Sequence, residues 1–116
     1  MSYIDGFVIP VPDGKKDAYL AVAKKAAQVF KRCGAIRIVE CWGNDIPDGK
    51  VTDFKKAVQA VSGENVVFSW IEWPSKEARD KGNKEMMEDP EMNTMDMPFD
   101  GKRMFFGGFE VLVDTK

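Results

Sequence analysis

The chain opens on a loosely alternating apolar run, Tyr3 to Val11, rich in Ile, Val and Phe. Such a run favours a pleated, half-buried strand. Pro10 and Pro12 put its end at an edge or turn, because proline cannot donate to a ladder. Asp13-Gly14 follows, and Asp13 is the expected N-cap of the next element. From Lys15 to Cys33 the period changes. Tyr19, Ala23, Ala26, Phe30 and Cys33 recur at steps of four and three, which places them on one helical face. Lys24, Gln28, Lys31 and Arg32 take the other. The last two suit the negative end of the helix dipole, and Gly34 suits a left-handed cap.

Ala35 to Trp42 reads as a second strand, closed by Gly43-Asn44-Asp45 and Pro47-Asp48-Gly49. Thr52 is the expected cap of a short helix from Asp53 to Ala60, which Ser62-Gly63 breaks. Asn65 to Trp73 is a strong strand that Pro74 stops. Ser75 caps a second long helix, weakly amphipathic through Ala78, Gly82 and Met86. Asp89-Pro90 ends it, and a methionine-rich loop runs to Gly101. Lys102 to Val113 forms the last strand. Gly107-Gly108 within it predicts a bulge or a close backbone approach.

The order is strand, helix, strand, strand, helix, strand. This predicts an α+β fold, a ferredoxin-like β-α-β-β-α-β unit with an antiparallel sheet, in one domain over residues 1–116. Helices in that arrangement cover only one sheet face. A one-sided strand alternates cleanly between apolar and polar, and these do not. Phe7, Ile9 and Val11 oppose Ile4 and Val8. Val67, Ile71 and Trp73 oppose Val66, Phe68 and Trp70. Phe105 and Phe109 oppose Met104 and Phe106. Both faces require burial, so the expected partner is a second copy, giving a homodimer closed as a dimeric α/β barrel. A hetero-partner or an extra segment over that face is the alternative.

Composition narrows the partners. The formal net charge is −2 and the pI about 5.2, with lysines mixed among acids on the helices. Nucleic-acid binding calls for a basic stripe and is not expected. No apolar run is long enough for a membrane span, and the first residues lack the layout of a secretory signal. The expected location is cytoplasmic, where Cys33 and Cys41 stay free thiols. The sequence contains no histidine. That removes Ser-His-Asp and Cys-His machinery and the usual zinc and non-haem iron shells, so neither a cofactor nor a metal is expected. Acid–base chemistry would fall to Asp, Glu, Lys, Tyr or water.

Val39-Glu40-Cys41-Trp42-Gly43, Val67-Phe68-Ser69-Trp70-Ile71 and Trp73-Pro74-Ser75-Lys76 are distinctive segments. Most distinctive is Met97-Pro98-Phe99-Asp100-Gly101-Lys102-Arg103-Met104, followed by Gly107-Gly108-Phe109. With the opening Tyr3-Ile4-Asp5-Gly6-Phe7, the chain resembles the YbaA-like bacterial proteins over nearly its whole length. That is a domain-of-unknown-function family in the dimeric α/β-barrel superfamily. The resemblance implies a ferredoxin-like fold and a barrel-forming dimer, and carries no activity with it. The wider superfamily includes cofactor-independent monooxygenases, haem-handling proteins and stress-responsive small-molecule binders. The histidine that many haem-binding relatives use is absent here. Fold does not imply function.

Four constellations hold candidate chemistry. Arg37, Glu40, Glu72 and Glu110 lie on strands. Arg37 and Glu40 are three apart, so they face opposite sides of the sheet, and a charge buried there needs a partner. Such groups either line a small-molecule pocket or form ion pairs that set register. Trp42, Trp70 and Trp73 either line a cavity or anchor the core and interface. The thioethers clustered from Met86 to Met104 offer adaptable packing in a lid or contact loop; soft-metal binding is the weaker reading. Asp100-Gly101 is a turn signal, beside which Lys102 and Arg103 could hold an anion. The candidate pocket residues are therefore Arg37, Glu40, Trp42, Trp70, Glu72, Asp100 and Arg103. The expected function is a homodimeric small-molecule-binding protein, extending to a cofactor-independent enzyme on a hydrophobic or aromatic metabolite. The alternative is a non-catalytic interaction or regulatory module whose barrel face and methionine-rich loop serve only assembly.

Overall fold

Four antiparallel strands in the order β2-β3-β1-β4 form one sheet in the computed structural model, which describes residues 2–116. The strands are β1 (Tyr3–Pro12), β2 (Arg37–Trp42), β3 (Glu64–Trp73) and β4 (Phe105–Glu110). Between them lie α1 (Lys16–Arg32), α2 (Phe54–Ala57), α3 (Lys76–Glu88) and α4 (Pro90–Asn93). The structure is thus a mixed α and β fold around an antiparallel sheet.

Register decides which residues share a face. Tyr3, Asp5, Phe7 and Ile9 of β1 pair with Trp73, Ile71, Ser69 and Val67 of β3. Ile38, Glu40 and Trp42 of β2 continue those rows across the ladder. All of them point toward α1 and α3, because residues two apart share a side of a strand. Ile9, Val11, Tyr19, Ala23 and Val67 form one buried cluster there, and Tyr3, Ala35, Ile71 and Trp73 another. The period of four and three read along α1 therefore marks its inner face, with Tyr19 and Ala23 buried.

The opposite face is covered at one end only. Val8, Val58 and Val66 pack there with Ile46 and Ala60, so the segment between β2 and β3 folds back over the sheet. Phe68, Phe105 and Phe109 on the rest of that face remain 44%, 46% and 60% exposed.

Several expected boundaries differ. Asp13 does not cap α1. Residues Asp13–Lys15 form a 3-10 turn, and Lys15 stands at the N-cap without a side-chain bond. Asp53, not Thr52, caps α2, accepting from the backbone N–H of Lys56 at 2.6 Å and of Gly49 at 3.0 Å. A carboxylate reaches both amides at once, which a hydroxyl on the preceding residue does not. The α2 helix also stops at Ala57, short of Ala60, and Gln59 beyond it takes a positive φ of 51°. The last strand spans Phe105–Glu110 rather than Lys102 to Val113. Lys102 and Arg103 belong to the turn before it, held by Asp100. Gly107-Gly108 forms no bulge: they pair in register with Gly6 and Asp5. The close approach is real, since a Cβ on Gly108 would meet the Tyr3 ring and the Arg79 guanidinium. Part of the methionine-rich loop is helical as α4, which Asp89 caps.

Candidate functional site

A cavity of about 170 Å³ lies between the sheet, α1 and the segment that follows α3. Its sheet side is made by Phe7, Ile9, Glu40, Ser69 and Ile71, and its helix side by Tyr19, Val22, Ala23, Ala26 and Phe30. Met92, Met97, Phe99 and Met104 form its remaining wall, and the space stays partly open to solvent. The space has a local cause. Ala23 and Ala26 sit one turn apart on the inner face of α1, where larger side chains would fill the gap, and Ser69 is the small residue on the strand below. Methionine suits the closing wall, because its unbranched thioether adapts to irregular gaps.

The lining is apolar except at one place. The Tyr19 hydroxyl donates to Glu40 Oε1 at 2.7 Å, joining α1 to β2. Ser69 stands directly across the ladder from Glu40. Burial pushes the Glu40 carboxyl above its ordinary range, and the Tyr19 and Ser69 hydroxyls offset part of that rise. Burial also pushes the Tyr19 hydroxyl far upward, and the neighbouring Glu40 charge adds to it. Tyr19 therefore remains a proton donor throughout the working pH range, with Glu40 its acceptor. Glu40 is nonetheless accessible to solvent. It lines the cavity and also a smaller hollow of about 100 Å³ on the other side of Tyr19. Protein surrounds the carboxyl, and the two hollows keep it reachable.

A second polar network centres on a buried carboxylate. Asp5, 4% exposed, accepts from Trp73 Nε1 at 3.0 Å and faces Arg79 Nε at 3.3 Å. Arg79 Nη2 donates to the Tyr3 hydroxyl at 2.8 Å, with the guanidinium 4.7 Å from the Tyr3 ring centre. Burial raises the Asp5 pKa more than Arg79 lowers it. This network lines none of the cavities described here. It ties β1, β3 and α3 together.

Of the residues singled out in the sequence, Glu40 and Trp42 share the helix side and the smaller hollow, where Lys16 Nζ lies 5.6 Å from the Trp42 ring centre. Arg37 and Glu72 pair across β2 and β3 on the opposite face, and Ser2 donates to Glu72 at 3.1 Å. Trp70 lies on that opposite face too, 5.8 Å from Phe68 between ring centres. Arg103 commits its guanidinium to partners within the chain. It forks onto Glu64 at 2.7 Å through both terminal nitrogens, and its Nε donates to Asp100 at 2.9 Å. The seven residues are thus spread over three places. Tyr19, Ser69 and the closing methionines complete the Glu40 site, and sequence reasoning did not group them with it. The available signal was Tyr19 and Ala23 on the inner face of α1, whose contact with β2 only the folded chain reveals. Among the described residues, no group of His, Cys, Asp and Glu is clustered to hold a metal. Among the described residues, no helix is long and apolar enough to cross a membrane.

Fold and site together define a small mixed α and β protein with one carboxyl–phenol pair at the edge of an apolar cavity. Residues 2–101 match the family described as Protein of unknown function (DUF1428), and the chain belongs to that family. It is 62% identical over 116 residues to Uncharacterized protein YbaA of Escherichia coli strain K12, covering 98% of this chain and 99% of the relative. The YbaA proteins of Escherichia coli O157:H7 and Shigella flexneri match to the same extent. The YbaA-like character read from the motifs is established by these matches.

Proposed function

We propose that the chain is a homodimeric small-molecule-binding protein whose ligand sits between the sheet and α1. The observation that carries this is the Tyr19–Glu40 pair at an otherwise apolar cavity. An apolar pocket with few convergent polar groups and a shifted carboxyl is the usual make-up of a ligand site. The strand order β2-β3-β1-β4, with long helices after β1 and β3, supports the ferredoxin-like assignment. The exposed Phe68, Phe105 and Phe109 support a second copy on the open face, since a two-fold partner brings an identical apolar patch to cover them. The free thiols Cys33 and Cys41 go with a cytoplasmic location. Were the bound molecule also transformed, Glu40 would act as the proton acceptor, being the only carboxylate in the lining. The reading in which the chain serves assembly alone leaves this cavity without a role.

Toluene tests the pocket directly. With methionine methyl groups labelled for NMR, it should produce saturable shifts at Met92, Met97 and Met104. The Ala23→Phe variant, which fills the cavity, should remove them. Unmoved methionine signals in folded wild-type protein, up to the solubility limit of toluene, would overturn the proposal.

A further inference from the structure

We infer that the cavity takes a neutral, single-ring molecule that donates one hydrogen bond to Glu40, a phenol being the simplest member of the class. The inference rests on the pocket reading above and adds the chemistry of the occupant. Size is consistent with one ring. An apolar cavity of roughly 150 Å³ accommodates benzene, and this one is about 170 Å³. It has room for one ring and a small substituent. The walls suit an aromatic ring, because Phe7, Phe30 and Phe99 offer ring faces and edges, and Met92, Met97 and Met104 offer thioethers.

The polar groups set the sign of the hydrogen bond. An ionised carboxylate only accepts, through two oxygens with about four lone-pair positions. Tyr19 occupies one of these at Oε1, and its proton is thereby committed. The remaining capacity of Glu40 borders the cavity. No Lys or Arg lines the cavity, so a carboxylate or phosphate ligand would meet Glu40 without a counter-charge. An ammonium ligand would bring three donors to a lining whose side-chain oxygens are those of Glu40, Tyr19 and Ser69 alone. A neutral donor meets neither penalty. Ser69, across the ladder from Glu40, turns its own proton to that carboxylate and can accept from the same substituent.

The test compares p-cresol, toluene, benzoate and benzylamine as probes, titrated into the full-length protein by methionine-methyl NMR. In wild type, p-cresol should bind about tenfold more tightly than toluene, the scale of a hydrogen bond to a charged acceptor. Benzoate and benzylamine should bind more weakly than p-cresol. In Glu40→Leu, toluene should still bind and the p-cresol preference should vanish. Should that variant not fold, Glu40→Gln keeps the shape with a neutral acceptor and should cut the preference to about threefold. Equal affinity for p-cresol and toluene in wild type would overturn the inference and leave the pocket standing. So would an undiminished preference in either Glu40 variant, or tighter binding of benzoate or benzylamine. Failure of both toluene and p-cresol to bind would overturn the pocket reading itself.

Discussion

Glu40 is held at a cost to the fold. Its folded-state pKa lies above the ordinary glutamate value of about 4.3. A carboxyl raised in this way is better tolerated protonated, so its contribution is favourable below the unfolded pKa and is lost as pH rises through the folded value. Solvent access screens the effect, so Glu40→Gln should melt slightly higher than wild type at neutral pH, with the difference disappearing below about pH 4. Melting curves across that range check it, and a variant less stable at neutral pH would contradict the argument. Arg103 has the opposite sign. It holds the Glu64 carboxyl below its ordinary value through their hydrogen bonds, so the bridge stabilises above the unfolded pKa and is lost as pH falls through the lowered one. Arg103→Ala should lower the melting temperature at neutral pH, by less in acid, and should leave toluene binding intact, because Arg103 does not line the cavity. Sequence reasoning placed Arg103 near a ligand because a turn and two cations stand together at Asp100 to Arg103. Its actual partner, Glu64, lies 39 residues away, and no local pattern signals a contact across that separation.

At the scale of elements, α3 shows packing overruling propensity. Alanine is favoured over glycine inside a helix by about 1 kcal/mol. At Gly82, however, a Cβ would fall on the Trp73 ring and stand 2.8 Å from the Cys33 carbonyl oxygen. Trp73 is fully buried and tied to Asp5 through Nε1, so the ring cannot step aside. Gly82→Ala should destabilise by about 1–3 kcal/mol, the usual cost of overpacking, read as a lower urea midpoint. A neutral or stabilising effect would show that Trp73 yields. The elements themselves were largely legible. The change of period at Lys15, the stop at Pro74 and the Ser75 cap, which accepts from Ala78 N–H at 3.1 Å, are local features of the chain. The misplaced caps at Asp13 and Thr52 have different reasons. At α2 the Asp53 carboxylate reaches two amides and displaces Thr52, whereas a 3-10 turn over Asp13–Lys15 takes Asp13 away from the start of α1, which no side chain caps.

For the whole molecule, the open sheet face is the decisive feature. Phe109 is 60% exposed on the edge strand β4, so within one chain its replacement should change stability by less than about 0.5 kcal/mol. Across a two-fold interface it would sit in the apolar patch. Phe109→Lys should convert a dimer into a folded monomer in sedimentation experiments at micromolar concentration. Wild-type protein that already sediments as a monomer would overturn the homodimer. The amphipathic period of α1, the two-sided strands, the turns and the absence of histidine were determined by the sequence alone, because each depends on residues close in the chain or on composition. The Tyr19–Glu40 pair, the Arg103–Glu64 bridge and the fold-back of residues 46–60 over one end of the open face were decided by the tertiary structure. Each joins segments whose meeting depends on how helices and strands pack, and on a register in which a one-residue slip would turn Glu40 to the opposite side of the sheet.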